Sequence, residues 1–561
     1  MADITSGPTI PIPETDYLSY IFEGPYDEKK AWPSTKPILV STEASDPSYT
    51  IDDIKDFVKR LGCGLHHIGA RGRRVMLYGE ANIHFPLALL GAMAAGSACA
   101  VIPPSSVHHI TFYLRQMEAG FILCSLNDVT RARDAARQVG ISPGHIFVVD
   151  RSVSDVGFTN EQQVRHWSWL LNVPGGSEYV WPRLRAESKE AEAILLCTSG
   201  TTGNPKLAVR THYNLVANAE SVLYNRSREL KNVRDTLFCT FKFYGVGFIT
   251  HAVLLSLKAR TRSIFMPTFN LQTWFLTVHR FRPTFLMIPK HVLNELVMYK
   301  NEDKPDLSSV KCVVTGAATI SLALRKAWAE KYGHPLFSVL GMTELGFVTG
   351  EELGLPLKND TVGKLLPNVQ VKIVDGKGQS LERGQQGELW YSYPGTMKCY
   401  CNEPEKTALA VTADGWLKSG DICSIDAKGY VYVVGRSKDM FKLNGSDISG
   451  AQIEGGIILH PDVKEASVVP VTLPGEEEPA PYGFIVKKPG SKLTVDDFMQ
   501  WTAQELTANM KLYGGVSFIS ALPLSTSGNT KTDQQALKKM AQAKVDARYQ
   551  SKKDFYMRPN N

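Results

Sequence analysis

The stretch that most constrains this chain is an apolar run, Ala193-Ile194-Leu195-Leu196-Cys197, that breaks into Thr198-Ser199-Gly200-Thr201-Thr202-Gly203-Asn204-Pro205-Lys206. The run reads as a short buried strand. The loop after it carries glycines, hydroxyl residues and a lysine, and a helix-like pattern follows from about Asn214. A strand opening into such a loop can present backbone N–H groups, hydroxyls and one cation to a polyphosphate. The GxxxxGK[ST] spacing of a P-loop is absent. Taken alone, the same cluster also reads as an ordinary Gly/Ser/Thr turn.

The surrounding chain shows what that strand would join. Residues 49–65 carry apolar positions at helical spacing behind the turn-forming 45–48; 74–78 and 98–102 read as strands, with a buried helix at 85–95 between them. Strand patterns recur at 120–126, 146–150, 262–266, 284–289 and 311–315. Such alternation implies a parallel sheet with helices on both faces. From Val362 the texture changes to short alternating segments between Asp/Gly turns: 369–374, 387–392, 422–426 and 430–435. That is the pattern of a small β-rich subdomain. Beyond Lys438 it becomes mixed: helical at 452–459 and 495–506, strand at 463–471 and 483–486.

At 561 residues the chain is too long for one core. The expected fold is therefore α/β: a large N-terminal domain of helix-flanked sheets plus a small β-rich subdomain, 1–437, followed by a small mobile α+β C-terminal domain, 438–561. A net charge of +6 suits small anionic ligands, and no Lys/Arg-rich run argues for nucleic acid. The nine cysteines include no CxxC pair, which speaks against disulfides and structural zinc and for a reducing compartment. Residues 1–20 lack an apolar signal-peptide core, and 86–102, the most apolar segment, is interrupted by Gly91 and Gly96. The end, Met-Arg-Pro-Asn-Asn, lacks a Ser-Lys-Leu type peroxisomal address, so a cytoplasmic location without membrane contact is expected.

Further segments carry chemistry. In Gly341-Met342-Thr343-Glu344 a hydroxyl beside a carboxylate at a strand end can bind a phosphate oxygen and Mg²⁺ together. Gly316-Ala317-Ala318 lets a flat group approach the backbone. Ser419-Gly420-Asp421 offers a carboxylate that can accept hydrogen bonds from both ribose hydroxyls. Gly435-Arg436-Ser437-Lys438-Asp439 leads into Phe441-Lys442-Leu443-Asn444-Gly445, and the late loop 525–531 carries an isolated lysine.

These motifs occur in the order and at roughly the spacings of the adenylate-forming superfamily, which holds acyl- and aryl-CoA ligases, luciferase and nonribosomal adenylation domains. The resemblance spans about 49–537, includes Gly387-Glu388-Leu389 and Asn402-Glu403-Pro404-Glu405-Lys406-Thr407, and looks most like the 4-coumarate-CoA ligase branch. It implies two half-reactions. A carboxylic acid attacks the α-phosphate of ATP, giving acyl-AMP and pyrophosphate; a thiol, usually CoA, then displaces AMP. By position, Thr198, Ser199, Gly200, Thr201, Thr202, Gly203 and Lys206 would hold the β/γ-phosphates. Thr343 would contact the α-phosphate, Glu344 would ligate Mg²⁺, and Gly316, Ala317 and Ala318 would flank adenine. Asp421 and Arg436 would hold the ribose, with Lys438 at the interdomain hinge. Lys442 and Gly445 would face the CoA tunnel. Phe241, Lys242, Phe243, Tyr244, Gly245, Phe248 and Phe347, with Gly316 and Gly341, would line the acid pocket, which suggests an aromatic or medium-sized apolar acid.

The chain departs from the family pattern at informative places. Asn529 stands where the late-loop lysine is usual, and reading back from Ala536-Leu537 makes Lys531 that lysine. Leu207 follows Pro205-Lys206 where glycine is usual, and Leu340 replaces a common aromatic. Lys242 stands where the family commonly has histidine; it could hold the substrate carboxylate, pair with a second acidic group on the substrate, or turn outward. The acceptor stays open between CoA, a carrier-protein thiol and an amine. A non-catalytic nucleotide-binding role is the rival of another class.

Overall fold

The computed structural model describes residues 4–25, 31–150, 164–198, 206–227, 235–299, 305–316, 320, 322–350, 360–443, 446–458, 460–476, 478–506, 511–523 and 532–556. Two large sheets form the centre. One has eight strands in the order Cys399–Tyr400, Lys206–Thr211, Glu192–Thr198, Ala98–Ile102, Arg74–Tyr78, Ala119–Cys124, Ile146–Val148 and Arg165–His166. The other has six, all parallel, in the order Leu336–Val339, Cys312–Gly316, Phe285–Met287, Thr236–Cys239, Arg262–Phe265 and Leu39–Ser41.

Strands of the first sheet read as continuous apolar runs because helices cover both faces. Ala98–Ile102 is buried at every position, and so is the adjoining helix Phe85–Ala94. A helix apolar all round has nowhere to go but the interior. The helix Ile51–His67 instead buries one stripe, and its start is fixed locally: the Thr50 hydroxyl accepts the Asp53 amide at 3.1 Å while Asp53 Oδ2 accepts the Thr50 amide at 2.8 Å.

The helix expected from about Asn214 is present, but the sequence did not mark the strand ahead of it. Lys206–Thr211 is a strand, antiparallel to Glu192–Thr198, and the helix begins at His212. Leu207, Ala208 and Val209 are all fully buried, so the strand is sandwiched and shows no alternation to betray it.

The β-rich subdomain is a five-stranded antiparallel sheet, Thr5–Ser6, Gln370–Val374, Gly387–Ser392, Leu417–Ile425 and Val431–Arg436. Alternation is clean here: Leu417–Ile425 buries every second residue. Its edge strand comes from the other end of the chain, where no local pattern marks it. A single helical turn, Ser437–Asp439, containing Lys438, leads from this sheet to the hairpin Met440–Leu443/Ser446–Ser449. Beyond it, Val463–Val471, Ala480–Lys487 and Gly515–Phe518 form a three-stranded sheet. The terminal helix Gln534–Tyr556 lays Leu537, Ala541 and Val545 on Val469, Val471 and Phe484, an i, i+4, i+8 stripe. Among the described residues no helix is long and apolar enough to cross a membrane.

Candidate active site

Asp421 and Arg436 face each other in register across the antiparallel strands Leu417–Ile425 and Val431–Arg436. Arg436 Nε lies 2.7 Å from Asp421 Oδ1, and its Nη1 donates to the Ser419 carbonyl at 3.1 Å. The bend that delivers Asp421 needs glycine. Gly420 has φ +70°, and its amide donates to Glu388 Oε1 at 2.9 Å. Asp421 is 6% exposed while the Arg436 side chain is partly open, so the carboxylate is held firmly and the cation can adjust. A carboxylate fixed by a guanidinium is suited to accept hydroxyl hydrogen bonds.

Thr343 and Glu344 sit in the turn of a tight hairpin, Gly341–Met342 paired with Gly346–Phe347. The turn closes only because both flanks are glycine. A Cβ on Gly341 would lie 2.5 Å from the Gly346 carbonyl, and one on Gly346, at φ +80°, would lie 2.3 Å from Asn218 Oδ1. Glu344 is 6% exposed; its carbonyl accepts the Met397 amide at 2.7 Å, and its Oε1 accepts the Tyr400 hydroxyl at 2.7 Å. Lys206 Nζ stands 4.5 Å over the Tyr400 ring. Burial lowers the Lys206 pKa, and the Glu344 charge opposes that shift. Thr198 and Lys206 are cross-strand partners, so both ends of the glycine-rich loop are tied to one point of the sheet.

Below this cluster lies Arg210, fully buried, whose Nη2 donates to the carbonyls of Asn214, Leu345 and Gly395 at 3.1–3.3 Å. It joins the strand bearing Lys206 to the turn bearing Glu344. Burial pulls its pKa down to about 10.

Around Lys242, the aromatic residues separate into two groups. Phe243 is 3% exposed and packs at 5.6 Å on both Phe85 and Phe248 and at 6.4 Å on Phe265. Phe243 and Phe248 are thus core rings. Phe241, Tyr244 and Phe347 are only partly buried, and Lys242 is exposed. Burial pushes the Tyr244 hydroxyl up to about 12, against the opposing effect of the Ala81 backbone beside it. Phe248–Leu255 is wound as a π-helix, a form concentrated at functional sites. It places His251 against Phe347, with ring centroids 4.0 Å apart.

Comparison with known proteins shows the family of the chain. The AMP-binding enzyme model matches residues 27–401, and the AMP-binding enzyme C-terminal domain model matches 452–529. The chain belongs to the AMP-binding enzyme family. It is 30% identical over 483 residues to 4-coumarate--CoA ligase-like 6 of Oryza sativa subsp. japonica, covering 80% of this chain and 78% of that protein. It is 28% identical over 508 residues to 4-coumarate-CoA ligase 1 of Narcissus pseudonarcissus, covering 88% and 89%. In fold it is similar to the anthranilate CoA ligase AuaEII in complex with anthranoyl-AMP, with a TM-score of 0.82, 19% identity, and 96% and 99% of the two chains covered. This AMP-binding enzyme is therefore an adenylate-forming ligase of the acyl/aryl-CoA ligase kind.

Of the residues singled out from sequence, the structure brings together Lys206, Glu344 and, through the β-rich sheet, Asp421 with Arg436. Gly316 ends its strand beside Val339, where a Cβ would lie 3.0 Å from the carbonyl oxygen. Ser199, Gly200, Thr201, Thr202, Gly203, Ala317, Ala318, Gly445, Asn529 and Lys531 lie outside the described residues, as does the side chain of Lys442. Tyr400, Arg210 and His251 were missed. Tyr400 adjoins the quoted 402–407 segment and could have been included; a lone arginine inside an apolar strand gave no signal. A cavity of about 550 Å³ in the N-terminal part, lined by Asp46, Tyr49, His84 and Trp167 among others, holds none of the motif residues.

Proposed function

We propose that this enzyme activates an aromatic or medium-sized apolar carboxylic acid with ATP and Mg²⁺, then passes the acyl group to CoA. An acid oxygen attacks the α-phosphorus and pyrophosphate leaves; the CoA thiol then attacks the acyl carbon and AMP leaves. A carboxylate approaching a polyphosphate meets like charge, so fixed cations and dipoles must offset it. Lys206 and residues 198–203 hold the β/γ-phosphates, Thr343 contacts the α-phosphate, and Lys531 from the late loop completes the cationic wall. Asp421, steadied by Arg436, takes the ribose hydroxyls, and residues 316–318 flank adenine. The buried Glu344 carboxylate is a hard oxygen donor that fits Mg²⁺, which would neutralise phosphate charge there. Domains 1–437 and 438–561 turn about Lys438 between half-reactions, bringing Lys442 and Gly445 to the pantetheine arm.

The observation that supports this reading most is the meeting of Lys206 and Glu344, 138 positions apart by number (344 − 206), on one tyrosine. For the acid, the support is the partly buried aromatic set Phe241, Tyr244 and Phe347, together with relatives named for 4-coumarate and a neighbour holding anthranoyl-AMP. The test is acid-dependent pyrophosphate release from ATP across aromatic and aliphatic acids, with and without CoA. Release with aromatic acids and a thioester when CoA is added is expected. Release indifferent to CoA would point to a carrier-protein thiol or an amine as acceptor. Tight ATP binding with no release for any acid would favour a non-catalytic role.

A further inference from the structure

Tyr400 touches both charged groups of the phosphate end, and neither the motif nor the family match assigns it a task. It is 6% exposed, on the short strand Cys399–Tyr400 that pairs with Ala208 and Val209, just beyond Lys206. Its backbone amide donates to Thr407 Oγ1 at 2.9 Å, which anchors it from the other side. Its hydroxyl donates to Glu344 Oε1 at 2.7 Å, and its ring face lies 4.5 Å from Lys206 Nζ. Lys206 and Glu344 feel each other's charge, yet among the described residues no ion pair joins them.

We propose that Tyr400 is a positioning residue that keeps Lys206 and Glu344 apart and separately poised, the lysine for phosphate and the carboxylate for the metal. The inference rests on the site reading above. Two partly desolvated opposite charges this close would gain from pairing directly, and the pair would then compete with MgATP for both groups. The tyrosine offers each a weaker partner. The ring face seats the ammonium by a cation–π contact, which a phosphate can displace. The hydroxyl occupies Oε1 and orients the carboxylate, leaving Oε2 for Mg²⁺. Tyrosine combines an apolar ring face with a hydroxyl donor at its tip.

The two functions come apart in two variants. Tyr400→Phe keeps the ring and frees the carboxylate; Tyr400→Leu removes both. The measurements are calorimetric binding of ATP with and without Mg²⁺, half-saturating Mg²⁺ for pyrophosphate release, and thermal unfolding to establish that each variant folds. Tyr400→Phe is expected to raise half-saturating Mg²⁺ about tenfold, the scale of one hydrogen bond to a charged group, with metal-free ATP binding unchanged. Tyr400→Leu is expected to weaken metal-free ATP binding as well, because Lys206 falls onto Glu344. A folded Tyr400→Phe with unaltered Mg²⁺ dependence overturns the proposal, as does equal weakening of every parameter by both variants. Glu344→Gln is the reference. If it too leaves the Mg²⁺ dependence untouched, Glu344 is not the metal ligand and the site reading fails with the proposal; if it shifts while Tyr400→Phe does not, the proposal alone fails.

Discussion

Along the strand that carries Lys206 and the start of the helix after it, the chain buries Arg210, His212 and Asn214; beside Tyr244 it buries Phe243, Phe248 and Phe265. The two supports do different physical work. The polar one is directional: Arg210 joins three carbonyls, His212 Nδ1 accepts the Tyr17 amide at 3.1 Å, and Asn214 Oδ1 accepts the Thr211 amide at 2.9 Å. Such bonds fix angles as well as distances. The aromatic support is limited by volume and shape rather than by direction.

That contrast can be broken by mutation, and the largest effect belongs to the aromatic side. Phe243→Ala should cost about 3–5 kcal/mol of stability, because the cavity opens among Phe85, Phe248 and Phe265, rings that cannot close it. Urea unfolding would show this, and acid preference among surviving molecules should be unchanged. A stable Phe243→Ala with altered acid preference would return Phe243 to the pocket wall.

The polar side should show its character as a pH dependence. His212 is buried and its pKa falls from 6.5 to about 4, chiefly through desolvation. Between those values the unfolded chain binds a proton that the folded chain refuses. Stability is therefore lost as pH falls from about 6.5 towards 4, by up to about 3 kcal/mol. His212→Gln, which keeps an acceptor for the Tyr17 amide, should flatten that slope in unfolding curves at pH 7 and pH 5. A slope unchanged by the substitution would place the acid sensitivity elsewhere.

The smallest effect is expected at Lys242. It is exposed, and its charge adds to the burial that depresses the His291 pKa. Lys242→His should leave stability alone and shift acid preference a few-fold, the scale of about 1 kcal/mol or less for an exposed charge. An unchanged profile across aromatic and dicarboxylic acids would remove Lys242 from the acid site.

Periodicity and turn chemistry, read along the chain, already marked Ala98–Ile102, Gly387–Ser392 and Val463–Val471 at the bounds they have in the fold. These strands are decided locally, by continuous burial in one sheet and alternation in another. The ordered motifs also named Lys206, Glu344, Asp421 and Arg436, because charged and hydroxyl residues beside glycines at strand ends stand out against their neighbours. Tertiary structure alone decided which of them meet. Thr5–Ser6 finds its partner at Gln370–Val371, Arg210 finds its three carbonyls, and Tyr400 reaches Glu344, 56 residues earlier. A pattern read along a chain records which face of an element is buried. What a buried polar group bonds to depends on chain-distant atoms brought within 3 Å or so, and no local period encodes that.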